Sequence, residues 1–215
     1  MNIIFLGPIA SGKGTQAQIV SSKYNLEAIS IGELLRERRN KEDEIGLKIA
    51  SLQQQGLLVD DDITLKVLEE KVKTCKEDEG ILFDGYPRTM NQAYLLEELL
   101  KKYDRKIDKV INFEIDDKAI VDRIGGRLIC KCGETYHLTH KKPVKANICD
   151  KCGGSLYQRD DDTEAGIKKR LEVYHTYVEP LIGFYKEKNL LANVNALQSI
   201  ESISSDIENI LGGKK

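Results

Sequence analysis

The sequence predicts an α/β protein, a parallel sheet of five strands with helices on both faces. Three observations carry this. Short apolar runs of strand length alternate with amphipathic helical patterns along most of the 215 residues, and that alternation is how parallel sheets are built. The first apolar run ends in glycine and leads directly into a helical pattern. Composition supports a core, with 40% hydrophobic residues against 32% charged residues of mixed sign. A chain of this length buries roughly 70% of the surface exposed by its unfolded form.

In order, residues 2–6 read as a buried strand and 13–23 as a helix. Residues 27–30 are weakly extended. Helical spacing returns over 31–39 and 45–55, with Gly56 ending the second helix. The next helix, 62–75, has Asp60, Asp61 and Asp62 at its positive N-terminus. Residues 81–83 form a strand, 91–103 a leucine-striped helix, 109–115 a strand and 116–124 a helix. One long helical pattern covers 164–188, interrupted by Pro180. Residues 190–194 give the last strand and 200–211 the last helix, and 212–215 read as a loose tail.

Residues 125–162 break this rhythm with four cysteines, five glycines and short β-like pieces such as 135–138. They read as an inserted β-rich lobe. Cys130, Cys132, Cys149 and Cys152 crowd into this lobe, while Cys75 stands alone. In a reducing compartment such a cluster reads as a metal site before disulfides.

The balance of 33 Lys+Arg against 35 Asp+Glu gives no bulk attraction to nucleic acid or an anionic membrane. No apolar run approaches the roughly 20 residues of a membrane span. The opening MNIIFLGPIASGKGT lacks a signal peptide's basic n-region. The expectation is a soluble, cytoplasmic, monomeric protein.

Gly7 to Thr15 reads GPIASGKGT and matches GxxxxGK between a strand and a helix. In that context successive backbone N–H groups form a nest for phosphate oxygens. The helix N-terminus adds positive potential and Lys13 a point charge. Gly14 stands where many nucleotide-binding loops carry Ser or Thr, and the hydroxyl comes one place later, at Thr15.

A set of further motifs follows: IGELLR at 31–36, GLLVDD at 56–61, FDGYPRT at 83–89 with Gln92, VDR and GGR within 121–127, YQRDDD at 157–162, KKRLEVY at 168–174 and LANVNA at 191–196. Their identity and order over nearly the whole chain resemble the adenylate kinases, nucleoside-monophosphate kinases with a P-loop NTPase-type core. The cysteine-bearing insert resembles the long lid of the zinc-containing bacterial forms.

The resemblance implies a core over 1–29, 60–125 and 163–215, a helical monophosphate-binding insert over 30–59 and a lid over 126–162. Lid closure in this very family is a standard example of gated catalysis. The implied reaction is Mg²⁺-dependent phosphoryl transfer, ATP + AMP to two ADP. Ala10, Ser11, Gly12, Lys13, Gly14 and Thr15 would cradle ATP, Arg127, Thr135 and Tyr136 would also bind it, and Arg123 would pack on its base, with backbone contacts near Gln198. Ile31, Arg36, Leu57, Leu58, Val59, Gly85, Tyr86, Pro87 and Arg88 would form the AMP site, with Arg159 and Arg170. Arg127 and Arg159 would reach in from the lid and Arg170 from the long helix. Asp84 would hold Mg²⁺ through waters, and Asp161 and Asp162 would close a hinge network.

The arginines suit this chemistry. Two polyanions must be brought together in a water-free site, and guanidinium binds phosphate bidentately. An ionised phosphate acceptor needs no general base. His175 therefore reads as packed or solvated, and His137 as structural. Gln92, one helical turn past Arg88, offers an amide donor and acceptor to an adenine edge. Three residues depart from the family pattern. Ile31 replaces a threonine beside the acceptor base, which leaves a different or relaxed acceptor base open. Ala10 replaces a loop glycine and Ile9 a proline.

Two other readings are weaker. Asn40-Lys41-Glu42-Asp43 spells the NKxD motif of GTPases, but no strand precedes it, and it reads as a solvated turn. Lys131, Lys141, Lys142, Lys145 and Lys151 make the lobe locally basic, as in an RNA-binding zinc ribbon, yet the lobe also carries Arg127 and Arg159 in kinase register.

Four thiolates are the ligand set of a closed tetrahedral Zn²⁺ site. The first pair is C-x-C, one residue short of the usual knuckle. Side chains at i and i+2 of a strand share a face, so both sulfurs reach one ion only where the backbone turns, and Gly133 permits a turn. The alternatives are Cys130 as a free buried thiol, a vestigial site, a Cys₃His set completed by His137 or His140, and iron in place of zinc.

Overall fold

A computed structural model describes residues 1–41, 43–139, 141–159 and 162–212. The main sheet holds β1 (Asn2–Leu6), β2 (Leu26–Ser30), β3 (Gly80–Asp84), β4 (Lys109–Glu114) and β8 (Leu191–Asn195). Its order is β2-β3-β1-β4-β8, and every neighbouring pair is parallel. Register sets Phe5 beside both Asp84 and Ile111.

Successive side chains of a strand point to opposite faces, and β1 is buried along its whole length. Ile4 and Leu6 join a core on one face with Ile81, Phe83 and Val110. Ile3 and Phe5 join the other with Leu82, Ile111 and Phe113. Phe5 and Phe113 rings lie 5.0 Å apart in a tilted pair.

The first core is covered by α2 (Ile31–Arg39), α3 (Glu44–Gln54), α4 (Asp61–Val72), α5 (Met90–Lys102) and α8 (Pro180–Glu187). The second is covered by α1 (Lys13–Tyr24) and α9 (Ile200–Ile210). A satellite core joins α6 (Asp117–Gly125) to α7 (Glu164–Val173) through Ile120, Ile124, Ile167 and Leu171. Asp43, Thr89, Asp116, Thr163 and Ser199 each accept a hydrogen bond from the N–H three residues on, which caps α3, α5, α6, α7 and α9.

The inserted lobe is a three-stranded antiparallel sheet ordered β6-β5-β7. Its strands are β5 (Arg127–Cys130), β6 (Thr135–His137) and β7 (Leu156–Tyr157). Among the described residues its core is Leu128, Cys130, Tyr136, Cys149 and Leu156.

Two helices differ from expectation. The helix expected to run to Cys75 ends at Val72. There Thr74 Oγ1 donates to the Lys71 carbonyl at 2.7 Å, a side-chain competitor for the helical acceptor. The long pattern over 164–188 is divided by a π-helical turn at Tyr174–Val178, where Glu179 N–H donates to Tyr174 O at 3.0 Å. Proline has no N–H to continue an α-helix, and Pro180 instead sits at the first position of α8.

Between α2 and α3, Arg38 and Asp43 make two parallel hydrogen bonds of 2.8 Å. Glu42 and the tail from 213 lie outside the described residues. Among the described residues no helix is long and apolar enough to cross a membrane.

Phe5 is fully buried at the centre of the sheet, so Phe5→Ala leaves a cavity that both neighbouring strands feel. Urea denaturation should show a loss of about 3–5 kcal/mol.

Candidate active site

Two cavities open at the carboxyl ends of β1 and β3, where open parallel sheets hold their ligands. The first, about 520 Å³, is lined by Leu35, Arg36, Leu57, Leu58, Val59, Pro87 and Val178 among others. The second, about 750 Å³, is lined by the whole Ala10–Thr15 loop, Asp84, Arg123, Arg127, Thr135, Tyr136 and Gln198. Ile9, Lys13, Gly32, Arg36, Gly85, Arg88, Arg159 and Arg170 line both. The cavities therefore meet at a junction walled by one lysine and four arginines.

The loop after β1 is shaped by left-handed backbone. Gly12 has φ 94° and Ala10 φ 56°. Ala10 adopts a positive φ, which costs an L-residue about 1–2 kcal/mol. Lys13 folds across the loop, with Nζ donating to the carbonyls of Gly7 (2.8 Å) and Pro8 (2.6 Å). Desolvation, with Arg88 and Arg127 nearby, lowers its ammonium to about 8 in spite of Asp84. It is still charged at neutral pH, and a bound phosphate would raise it again.

Asp84 ends β3, and burial pushes its carboxyl above the usual range against the pull of Lys13, Arg88, Arg159 and Arg36. Arg88 is held at both ends. Its Nε donates to Gly85 O at 2.8 Å, and its backbone N–H donates to Gln92 Oε1 at 2.8 Å. The Tyr86–Pro87 peptide between them is cis.

Arg127 and Asp162 pair in a two-pronged hydrogen bond, and Arg170 Nη2 donates to the same carboxylate at 2.8 Å. The Asp162 side chain is 2% exposed. Burial alone would raise its carboxyl, and Arg127 with Arg170 override that to hold it below the usual carboxylate range. Asp161 lies outside the described residues. Arg123 donates to Ala196 O at 2.7 Å and Ala10 O at 3.3 Å, which ties α6 to the loop.

The sequence-predicted residues divide cleanly. All those assigned to ATP line the second cavity. Tyr136 also turns its hydroxyl into the lobe, 3.6 Å from Cys149 Sγ. Of those assigned to AMP, Ile31, Tyr86 and Gln92 are buried behind the lining at 1%, 1% and 2% exposure. The Gln92 amide donates to Asp61 Oδ1 at 2.7 Å and accepts from Arg88, which leaves one N–H and one lone pair for other use. Arg39 and Gln53 also line the first cavity, and the sequence reading did not single them out.

The four lobe cysteines place their sulfurs within 4.8 Å of one another. Cys130 and Cys152 Sγ are 3.4 Å apart, and Cys132 and Cys149 Sγ 3.6 Å. A tetrahedral ion with bonds of about 2.3 Å spaces its sulfurs about 3.8 Å apart, so the donors fit one metal ion. The short C-x-C works because Gly133 takes φ 87° and its N–H donates to Cys130 O. Cys130 Sγ lies with the other three sulfurs. A Cβ on Gly154 would crowd Cys130 and Cys152 Sγ at 3.2 and 3.3 Å, so that turn leaves room only for the sulfurs. His137 instead binds Thr139 through Nδ1, and His140 lies outside the described residues. His175 bridges Asp117 and Glu179 on the exterior.

A family model described as adenylate kinase matches residues 5–190. The chain belongs to the adenylate kinase family. It is similar to the adenylate kinase of Bacillus licheniformis, 42% identical over 215 residues, spanning 100% of this chain and 99% of that one. It is 44% identical to that of Bacillus cytotoxicus over 216 residues, covering 99% of each. With that of the archaeon Archaeoglobus fulgidus it shares 44% identity over 212 residues and 98% of each chain. Adenylate kinases are phosphotransferases, and the junction of cations between two cavities suits that chemistry.

Asp162→Asn removes the counter-charge between Arg127 and Arg170. The loss should be about 2–3 kcal/mol at neutral pH, below the value for fully buried pairs because the arginine side chains remain 15% and 13% exposed. A carboxyl held low contributes stability above its unfolded pKa of about 4, and that contribution fades as pH falls through the folded value. Melting curves across acid pH should therefore converge for the two proteins.

Proposed function

We propose that this chain catalyses the reversible transfer of the γ-phosphoryl group of ATP to AMP, giving two ADP. The observation that carries the reading is the junction itself, where Lys13, Arg36, Arg88, Arg159 and Arg170 are shared by both cavities. A donor in the loop cavity and an acceptor in the α2–α3 cavity would meet there, end to end. The family membership supports the same reading.

The acceptor phosphate lies between Arg36 and Arg88, while Lys13 and the loop N–H groups hold the β- and γ-phosphates of the donor. Arg127, Arg159 and Arg170 surround the transferred group and neutralise charge that spreads over its oxygens. The acceptor is already ionised, so no side chain takes a proton. Mg²⁺, when bound, would offset the negative charge of the donor phosphates. Asp84 is the carboxylate beside the loop that fits it, since Mg²⁺ keeps most of its waters and takes few protein ligands. Residues 126–162 act as the lid that shuts out water, 30–59 as the acceptor-binding part, and the rest as the rigid core. Gln92, buried behind the wall, supports the acceptor site by accepting the Arg88 backbone N–H. The enzyme works in the cytoplasm as a single copy, without nucleic acid or membrane.

The lobe metal is Zn²⁺ in a structural role. Four sulfurs and no open position suit a closed tetrahedral site, and the lobe's five-residue core is too small to hold its strands alone.

Purified protein with MgATP and AMP should form ADP in a coupled assay, and absence of ADP above background would refute the reading. Arg88→Ala should lower turnover about a hundredfold or more, about 3 kcal/mol of transition-state stabilisation. Elemental analysis should find close to one tightly bound zinc per chain. Its removal by a chelator should lower the melting temperature, and the zinc-loaded enzyme should still require added Mg²⁺.

A further inference from the structure

The cavity containing Arg36 runs along α2 and α3, and beyond the arginines its wall is mostly aliphatic: Leu35, Ala50, Leu57, Leu58 and Val59. Arg39 and Gln53 interrupt it. Both line the cavity, and Arg39 Nη1 donates to Gln53 Oε1 at 3.2 Å. Arg39 follows Arg36 by three residues, so it shares that face of α2 and stands about 4.5 Å farther along the axis. A cation in the last turn of a helix ordinarily serves the helix dipole. Here Arg38 is clamped to Asp43 across the turn, while Arg39 lines the cavity.

The bond between the two side chains orients the amide. Its oxygen faces the guanidinium, so the amide NH₂ and the other guanidinium N–H groups are what the pair offers to the cavity. This is a donor-rich edge in an apolar wall. Adenine presents N7 as acceptor beside an amino donor at position 6. A 6-oxopurine presents two acceptors there, O6 and N7, the edge that an arginine fork matches.

We propose that Arg39 and Gln53 read the acceptor base, and that their donor edge admits 6-oxopurine monophosphates, GMP and IMP, as second acceptors beside AMP. This rests on the acceptor site assigned under the proposed function. The step is the same phosphoryl transfer. An oxygen of the acceptor phosphate bonds to the γ-phosphorus as the bond from that phosphorus to the departing ADP oxygen breaks. The products are ADP and GDP or IDP, and no further reactant is needed.

Initial rates with MgATP and each of AMP, GMP, IMP and CMP test this in the unaltered chain and in Arg39→Leu, Arg39→Lys and Gln53→Leu. The unaltered chain should phosphorylate GMP and IMP above CMP. The ratio of kcat/KM for IMP to that for AMP should fall about tenfold in Arg39→Leu, within the range for one lost base contact, and recover in part in Arg39→Lys. A purely structural defect lowers both substrates together and leaves the ratio unmoved. Should Arg39→Leu fail to fold, Gln53→Leu carries the same comparison. No diphosphate from GMP or IMP, or a ratio unchanged by every variant, overturns the proposal. Absence of AMP turnover in the unaltered chain is a separate result and overturns the function reading itself.

Discussion

The structure depends on holding like charges together. Lys13, Arg36, Arg88, Arg159 and Arg170 converge on the junction of two cavities; Lys13 lies in the field of Arg88 and Arg127, and Arg88 in that of Arg36 and Arg170. In a low dielectric such crowding is costly unless rigid elements and counter-charges impose it. Two carboxylates do this from opposite sides. Asp84 stands at the end of a central strand under Lys13 and Arg88, and Asp162 lies between Arg127 and Arg170. The parallel sheet supplies the rigidity, because β1 and β3 are paired along their length and end side by side at the site.

The small lobe answers to a different constraint. It holds Arg127 on the wall of the second cavity and Arg159 on both, with a small apolar core behind them. Two of the five side chains in that core are cysteines, so the packing and the metal-ligand geometry are one arrangement. The position of Gly154 against two sulfurs and the hydroxyl of Tyr136 against Cys149 belong to it as well.

Much of this was legible in the sequence because its signals are local. The strand–loop–helix context fixed the meaning of GPIASGKGT, and apolar runs marked four of the five parallel strands, while β2 showed only as a weakly extended segment. Gly133 was enough to suggest how C-x-C turns. What was not legible depends on which way a side chain faces once packed. Ile31, Tyr86 and Gln92 share motif segments with lining residues yet sit behind the wall. Arg39 reads as an ordinary helix-end cation until its bond to Gln53 and its place on the cavity wall are seen. The π turn was hidden because Pro180 announces an interruption without saying how the chain will absorb it.

That turn has a consequence in the language of insertions and deletions. One residue advances an α-helix by about 100°, and a π turn is in effect a residue inserted within a continuing helix. Before it, Ile167 and Leu171 face α6. After it, Leu181 and Tyr185 face the main sheet. The extra residue reconciles two faces that a regular helix could not present in this register. Most surface segments tolerate a lost residue through their loops. Here a single deletion within 174–178 would rotate α8 and turn Leu181 and Tyr185 away from the core, so the reading frame of the fold is narrowest at a place with no loop at all.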